Sequence, residues 1–279
     1  MQAVMRMAVR APLLVLAALL ALLPPAGLAG GQELPPGPTA AYQAGPLQAP
    51  AGSADFDEVL VLLLDFAPGA ATPAHTHGGV AFVSVVEGEL ARQIGDSHQV
   101  YAAGEGWAEP LGEVHSAHNP GVVPARALVT FLLPPGAAPT TVAEGGAAGA
   151  APPGPTVAYQ SARVPVPQPA GGFDEARFAL LDFAPGAATP RHTHGGLTVV
   201  AVIDGELTRR IGDDARTFGP GEVWLEPAGE VHSAHNESGQ AASVAVAFLL
   251  PQGAATTTAV AEPPTVRPQV PRAQVPAGR

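Results

Sequence analysis

The chain is written twice. Adding 117 to the numbers of His75, His77, His115 and Asn119 gives His192, His194, His232 and Asn236, and the same offset carries Pro35-Pro36-Gly37-Pro38-Thr39 onto Pro152-Pro153-Gly154-Pro155-Thr156. Within 279 residues such a repeat implies two similar domains, each long enough to bury a core. The copies have drifted apart at many positions, among them Gln93 against Arg210, His98 against Ala215 and Tyr101 against Phe218. The histidine blocks have not, and eight of the nine histidines lie in them.

The rest of the composition narrows the chemistry. There is no cysteine, which excludes disulfides and thiolate catalysis, and all 13 basic residues are arginines, which excludes a lysine Schiff base. A formal net charge of -11 opposes a phosphate backbone, so no nucleic-acid partner is expected. Any catalysis falls to histidines, carboxylates, hydroxyls or a metal.

Residues 1–29 have the features of a secretory signal peptide: Arg6 and Arg10, an apolar run over Ala11–Leu23, the helix-breaking Pro24-Pro25, and small residues around Gly27-Leu28-Ala29. The run is short for a ~30 Å hydrocarbon core. The expectation is a periplasmic or extracellular protein without stable membrane association. A first domain is expected over 35–133, a Pro, Gly and Ala linker over 134–151, a second domain over 152–252, and a disordered tail over 263–279.

Within the first copy, Val59–Phe66, Val80–Glu87, Glu89–Ile94, Trp107–Glu109, Val114–Asn119 and Arg126–Leu133 are short β-prone runs stopped by Gly, Pro or Asp turns. No stretch has a convincing helical period. The fold class expected is all-β, a sandwich or barrel.

Strand geometry gives the histidines a purpose. His75 and His77, like His192 and His194, are two apart and share a face, forming a pincer. His115 or His232, arriving from another strand after a Pro-x-Gly turn, can close on the pair. Three neutral imidazoles suit a divalent transition metal with positions left for water, oxygen or substrate.

In these residues the chain resembles the cupin superfamily, in its two-domain or bicupin form. Gly69, His75, His77 and Gly88 follow the family's first motif, as do Gly186, His192, His194 and Gly205. Gly104, Pro110, Gly112, His115 and Asn119 follow the second, as do Gly221, Pro227, Gly229, His232 and Asn236. The resemblance implies two tandem double-stranded β-helix, or jelly-roll, barrels with a metal inside each.

One departure stands out. The glutamate of the family's first motif falls on Ala81 and Thr198, neither a plausible ligand. Each site either works with three histidines or takes a carboxylate from elsewhere, and Glu109 and Glu226, in matched Trp-x-Glu-Pro segments, are the candidates. Such a glutamate can equally be a solvated strand residue. His118 and His235, an odd offset from His115 and His232, are expected on the opposite face, and Ser116 and Ser233 likewise. Trp107 and Trp224 are expected in the barrel wall, and Arg92 and Arg209 facing solvent, the alternative being an inward pair that could hold an anionic substrate.

Three functions are compatible with this reading. The preferred one is a metal-dependent dioxygenase of a small organic substrate, as in bicupins resembling flavonol dioxygenase. A binding protein for a metal or small ligand without turnover is the alternative. An oxalate decarboxylase-like enzyme is less favoured, because the family glutamate it uses is missing. Iron or manganese is favoured as the metal, with nickel, copper and zinc compatible.

Overall fold

The run Glu58–Phe66 is apolar throughout because both of its faces are buried. In the computed structural model, which describes residues 35–51, 53, 56–144, 152–167 and 172–261, Val59, Val61 and Leu63 point into one hydrophobic cluster. Leu60 and Phe66, with Leu62 and Leu64 packed beside them, point into another. The equivalent strand Glu175–Phe183 divides in the same way, with Ala176 and Phe178 on one side and Ala179 and Phe183 on the other. Alternation is present in both strands, but it separates two apolar environments rather than core from water.

The cluster with Val59, Val61 and Leu63 also contains Phe178, Leu197, Val199 and Leu249, so it lies between the two repeats. The other two clusters are the interiors of two barrels, each made of a large and a small antiparallel sheet. In the first barrel the large sheet runs Thr156–Gln160, Glu58–Phe66, Ala125–Leu133, Val80–Glu87 and Gly106–Glu109, with Val164–Pro165 also beside Glu58–Phe66. Its small sheet runs Ser97–Ala102, Glu89–Ile94 and Ser116–His118. The second barrel repeats this with Thr39–Gln48, Glu175–Phe183, Ala242–Leu250, Leu197–Asp204 and Val223–Glu226 in the large sheet, and Asp214–Phe218, Leu207–Ile211 and Ser233–His235 in the small one. The fold is all-β, two tandem jelly-roll barrels, with no helix among the described residues. The expected leader, 1–29, and tail, 263–279, lie outside the described residues, as does 145–151 of the expected linker.

The first strand of each repeat joins the sheet of the other. Thr39–Gln48 pairs with Glu175–Phe183, and its equivalent Thr156–Gln160 pairs with Glu58–Phe66. The exchange is tied down by a side chain, since Tyr42 on the exchanged strand lies 2.6 Å by its hydroxyl from Ser84 Oγ in the first barrel. Each barrel is therefore completed by its partner, and the core shared between them is part of the same construction.

The structure adds strands absent from the sequence-based expectation. Ser97–Ala102 folds back on Glu89–Ile94 across Gly95-Asp96, but it is mostly exposed and carries no apolar alternation to announce it. Thr141–Val142 pairs with Thr76 and His75, and Thr258–Ala259 with Thr193 and His192. Both pieces lie beyond the apolar runs, in Pro, Ala and Thr-rich sequence. The glycine pair after each histidine pincer allows the barrel wall to close there. A Cβ on Gly79 would stand 2.1 Å from the Leu132 carbonyl oxygen, and one on Gly196 2.0 Å from that of Leu249.

Candidate metal centres

Each site is built from a strand pair that is barely a strand. His75 and His115 exchange backbone hydrogen bonds at 2.9 and 3.0 Å, and His192 and His232 do the same at 2.9 and 3.0 Å. This isolated bridge lays the pincer strand against the turn after Pro110 or Pro227 and brings the third imidazole to the pair. His75, His77 and His115 are buried with ligand atoms within 4.8 Å of one another, and so are His192, His194 and His232.

The rings are oriented by the backbone. Nδ1 of His75, His77 and His115 lies 2.8, 2.7 and 2.9 Å from the carbonyl oxygens of Pro73, Pro139 and Glu113. In the second barrel the partners are Pro190, Thr256 and Glu230. A carbonyl oxygen only accepts, so each Nδ1 carries a proton, and in its neutral form each ring presents its Nε2 lone pair to the barrel interior. Carbonyl anchoring of this kind fixes a ligating histidine's tautomer and direction.

A carboxylate completes the arrangement. Glu109 Oε2 is 2.8 Å from His77 Nε2, and Oε1 is 3.1 Å from His115 Nε2; Glu226 stands 3.0 Å from His194 Nε2 and 3.1 Å from His232 Nε2. The indole N–H of Trp107 donates to Glu109 Oε1 at 2.7 Å, and that of Trp224 to Glu226 Oε1 at 2.8 Å. The tryptophans line the barrel interiors and also orient the glutamates. Of the two roles open to Glu109 and Glu226, the inward one is observed.

The glutamates reach the place vacated at Ala81 and Thr198 from the neighbouring strand. Ala81 is directly opposite Glu109 across the ladder, and Thr198 opposite Glu226. Opposed residues share a sheet face, so a carboxylate can pass from one strand to the other without leaving the site.

These groups are incompatible without a cation. Burial pushes the Glu109 and Glu226 carboxyls up, but where the paired histidines carry a proton on Nε2 their hydrogen bonds and charge outweigh it and hold both well below the ordinary value. Burial lowers His75, and lowers His192 to about 4; in each the backbone acceptor opposes that shift and the two neighbouring imidazoles reinforce it. A carboxylate and an Nε2 lone pair in contact repel unless a proton or metal ion stands between them. Three inward imidazoles and one carboxylate, all buried, are a donor set that fits a divalent transition metal.

The remaining residues fall outside the centres. His118 and His235 are half-buried on the outward face of their strands, and His235 Nε2 lies 2.8 Å from Ser233 Oγ. Asn119 and Asn236 brace the fold: the amide of Asn119 donates to the Phe66 and Val123 carbonyls, and that of Asn236 to the Phe183 and Gln240 carbonyls. The expectation for Arg92 and Arg209 is corrected. Their side chains are only 13% and 15% exposed, and each pairs with the glutamate two residues before a site histidine, Glu113 or Glu230. Leu90 and Leu207, two positions earlier on the same faces, lie in the barrel interiors, which is why the arginines turn inward.

Pro139 and Thr256 hold a histidine in each site yet lie beyond the expected domain ends. The repeat offset reaches them, since 139 plus 117 is 256, and Ala137-Ala138-Pro139-Thr140 is answered by Ala254-Ala255-Thr256-Thr257. A cavity of about 570 Å3 opens on the second site, bordered by His192, His194, Glu226 and Phe248.

The family model described as the cupin domain matches residues 62–131 and again 179–248. No curated protein matches the chain. Among solved structures, AerE from Microcystis aeruginosa is similar at 14% identity and a TM-score of 0.42, over 76% of this chain and 100% of that one. A Trp-to-Phe variant of oxalate decarboxylase from Bacillus subtilis is similar at 17% identity and a TM-score of 0.47, over 70% of this chain and 69% of that one.

Proposed function

Because the chain belongs to the cupin family, with the family's domain present twice, we propose that it is an exported metalloprotein with one divalent metal in each barrel and the activity of a metal-dependent dioxygenase of a small organic substrate. His75, His77, His115 and Glu109 hold the first metal; His192, His194, His232 and Glu226 hold the second. Iron or manganese is the metal this reading favours. The observation that carries it is the inward donor set, six imidazoles each anchored through Nδ1 and two glutamates each held by a tryptophan.

When bound, the metal supplies Lewis acidity and redox chemistry at a centre with coordination positions left open. The protein's part is to prepare that centre. The carbonyl anchors keep Nε2 available and stop the rings from swinging away as a substrate enters. Trp107 and Trp224 leave one oxygen of each glutamate less committed, and the barrel walls keep bulk water off. Around the second centre Phe248 and Val246 make those walls apolar, which suits an organic body better than a small dianion.

An oxalate decarboxylase-like reading gains support from one observation. The missing glutamate counted against it, and Glu109 and Glu226 restore a three-histidine, one-carboxylate set. Against it stands the state of the arginines, since Arg92 and Arg209, which a dianion would need, are each paired to a glutamate. The test is to load the purified protein with iron or manganese and follow dioxygen uptake with phenolic and 1,3-diketone substrates beside carbon dioxide release from oxalate. Uptake that disappears in His115→Ala, His232→Ala protein supports the dioxygenase. Carbon dioxide release without uptake supports the decarboxylase, and metal binding with neither leaves a binding protein.

A further inference from the structure

One short turn in each barrel is joined to three of the four metal donors. Pro110 to Glu113 is closed by the Glu113 N–H, which donates to the Pro110 carbonyl at 3.3 Å, and Gly112 takes the positive φ of 74° that the third place of such a turn requires. Pro227 to Glu230 repeats it at 3.1 Å, with Gly229 at a φ of 75°. Glu109 or Glu226 leads directly into the turn. The Gly112 N–H donates to the His77 carbonyl at 3.3 Å, and the Gly229 N–H to that of His194 at 3.0 Å. The Glu113 and Glu230 carbonyls accept the Nδ1 protons of His115 and His232. Where this turn sits decides where those donors sit.

The turn has little packing of its own. In the first barrel Leu111 is 65% exposed and Val114 50%. What fastens it is a charge pair from the small sheet, since Arg92 on Glu89–Ile94 reaches the Glu113 carboxylate and Arg209 on Leu207–Ile211 reaches that of Glu230. Arg92 stands opposite Ala117 and Arg209 opposite Ala234, and a methyl group there leaves room for the arginine stem. Nε of both arginines is buried with no hydrogen-bond partner among the described residues. The fold bears that cost in both barrels, which an arginine placed only for solubility would not impose.

We propose that Arg92 and Arg209 are positioning residues for the metal centres. Each clamps its Pro-x-Gly-Glu turn to the small sheet, and so holds in place both the carbonyl that anchors the third histidine and the glutamate that leads into the turn. Neither arginine touches the metal. The proposal rests on the metal reading above.

Cobalt(II) titrated into full-length protein tests it, because the visible d–d bands of the ion report the number and arrangement of its donors. His232→Ala protein isolates the first centre and His115→Ala protein the second. In the first background Arg92→Met should weaken cobalt binding roughly tenfold and shift the bands. In the second background the same substitution should change neither, which also shows that the variant folds. Glu113→Gln should weaken the first centre by a similar factor. Arg92→Met and Glu113→Gln together should be no weaker than either alone, since one clamp is lost in all three. Arg92→Lys, which keeps the charge without the planar fork, should recover part of the affinity.

Affinity and bands unmoved by Arg92→Met, equal losses at the two centres, or losses that add in the double variant would each overturn the proposal. Cobalt bound in neither parent background would remove the metal reading and this one with it. Cobalt bound in both, and indifferent to Arg92, would remove the clamp alone.

Discussion

The first and second barrels differ where they touch ligand space and each other, and agree where they face the proposed metal. His75, His77, His115, Trp107 and Glu109 have identical counterparts down to their backbone anchors, although one anchor is Pro139 and the other Thr256. A carbonyl serves whichever side chain accompanies it, so that position is free to change. Leu62 against Ala179 is not neutral in this way, because Leu62 packs against the first barrel's interior cluster and Ala179 borders the second cavity. The contrast separates what a metal centre requires from what a substrate would require.

The comparison is broken most severely by removing metal. If both donor sets are filled in the same way, a chelator at pH 7 should lower the melting temperature, each site losing about 4 kcal/mol where free metal had stood a thousandfold above its dissociation constant. Scanning calorimetry should show His115→Ala and His232→Ala protein each losing part of that increment. No effect of the chelator would mean the imidazoles and carboxylates are satisfied without a cation.

Next come the glutamates. Glu109→Gln and Glu226→Gln should each weaken metal binding at their own barrel by roughly tenfold or more, since an amide brings no charge to the ion. Competition against a chromophoric chelator reads the affinity. An unchanged affinity would return both glutamates to the role of hydrogen-bonded wall residues.

A smaller asymmetry lies where the exchanged strands cross. Tyr42 finds Ser84, whereas Tyr159 has no hydroxyl partner, because the residue equivalent to Ser84 is Ala201. Burial raises both phenols to about 12, the Ser84 hydrogen bond opposing that rise only for Tyr42. Ser84→Ala should cost about 1 kcal/mol in denaturant unfolding by removing the side-chain partner of Tyr42 and leaving only the Gly104 backbone. If Ser84→Ala costs nothing, the hydroxyl pair does not hold the exchanged strand.

The smallest effect is a surface ion pair found only in the first barrel. Arg126 holds Asp65 at 2.6 Å, and its counterpart is Ser243. Hydrogen bonding from Arg126 outweighs partial burial and lowers the Asp65 carboxyl. A folded pKa below the unfolded one, about 3.9, contributes stability above that value, and the contribution fades as pH falls through the folded pKa. Both side chains are more than a third exposed, so Arg126→Ser should cost only a few tenths of a kcal/mol near pH 7 and nothing at about pH 2. Equal losses at both pH values would assign the effect to packing.

Much of this was legible because the sequence is doubled. The repeated spacing singled out the ligand set, and the Trp-x-Glu-Pro match singled out Glu109 and Glu226. It could not say which way they point: a four-residue strand with Trp107 and Glu109 on one face reads the same whether that face is wet or dry. The strand exchange was hidden for a related reason. Thr39–Gln48 and Thr156–Gln160 are equivalent, so each matches either sheet, and only the chain path decides. Pro139 and Thr256 went unnoticed because they act through carbonyls, which carry no residue signature.

The central claim is one metal in each barrel on the same kind of donor set. Elemental analysis of the protein from its natural compartment, beside the His115→Ala, His232→Ala double variant, tests it most directly. The account predicts two transition-metal ions per chain and none in the double variant. One ion per chain, or metal retained after both substitutions, would contradict it.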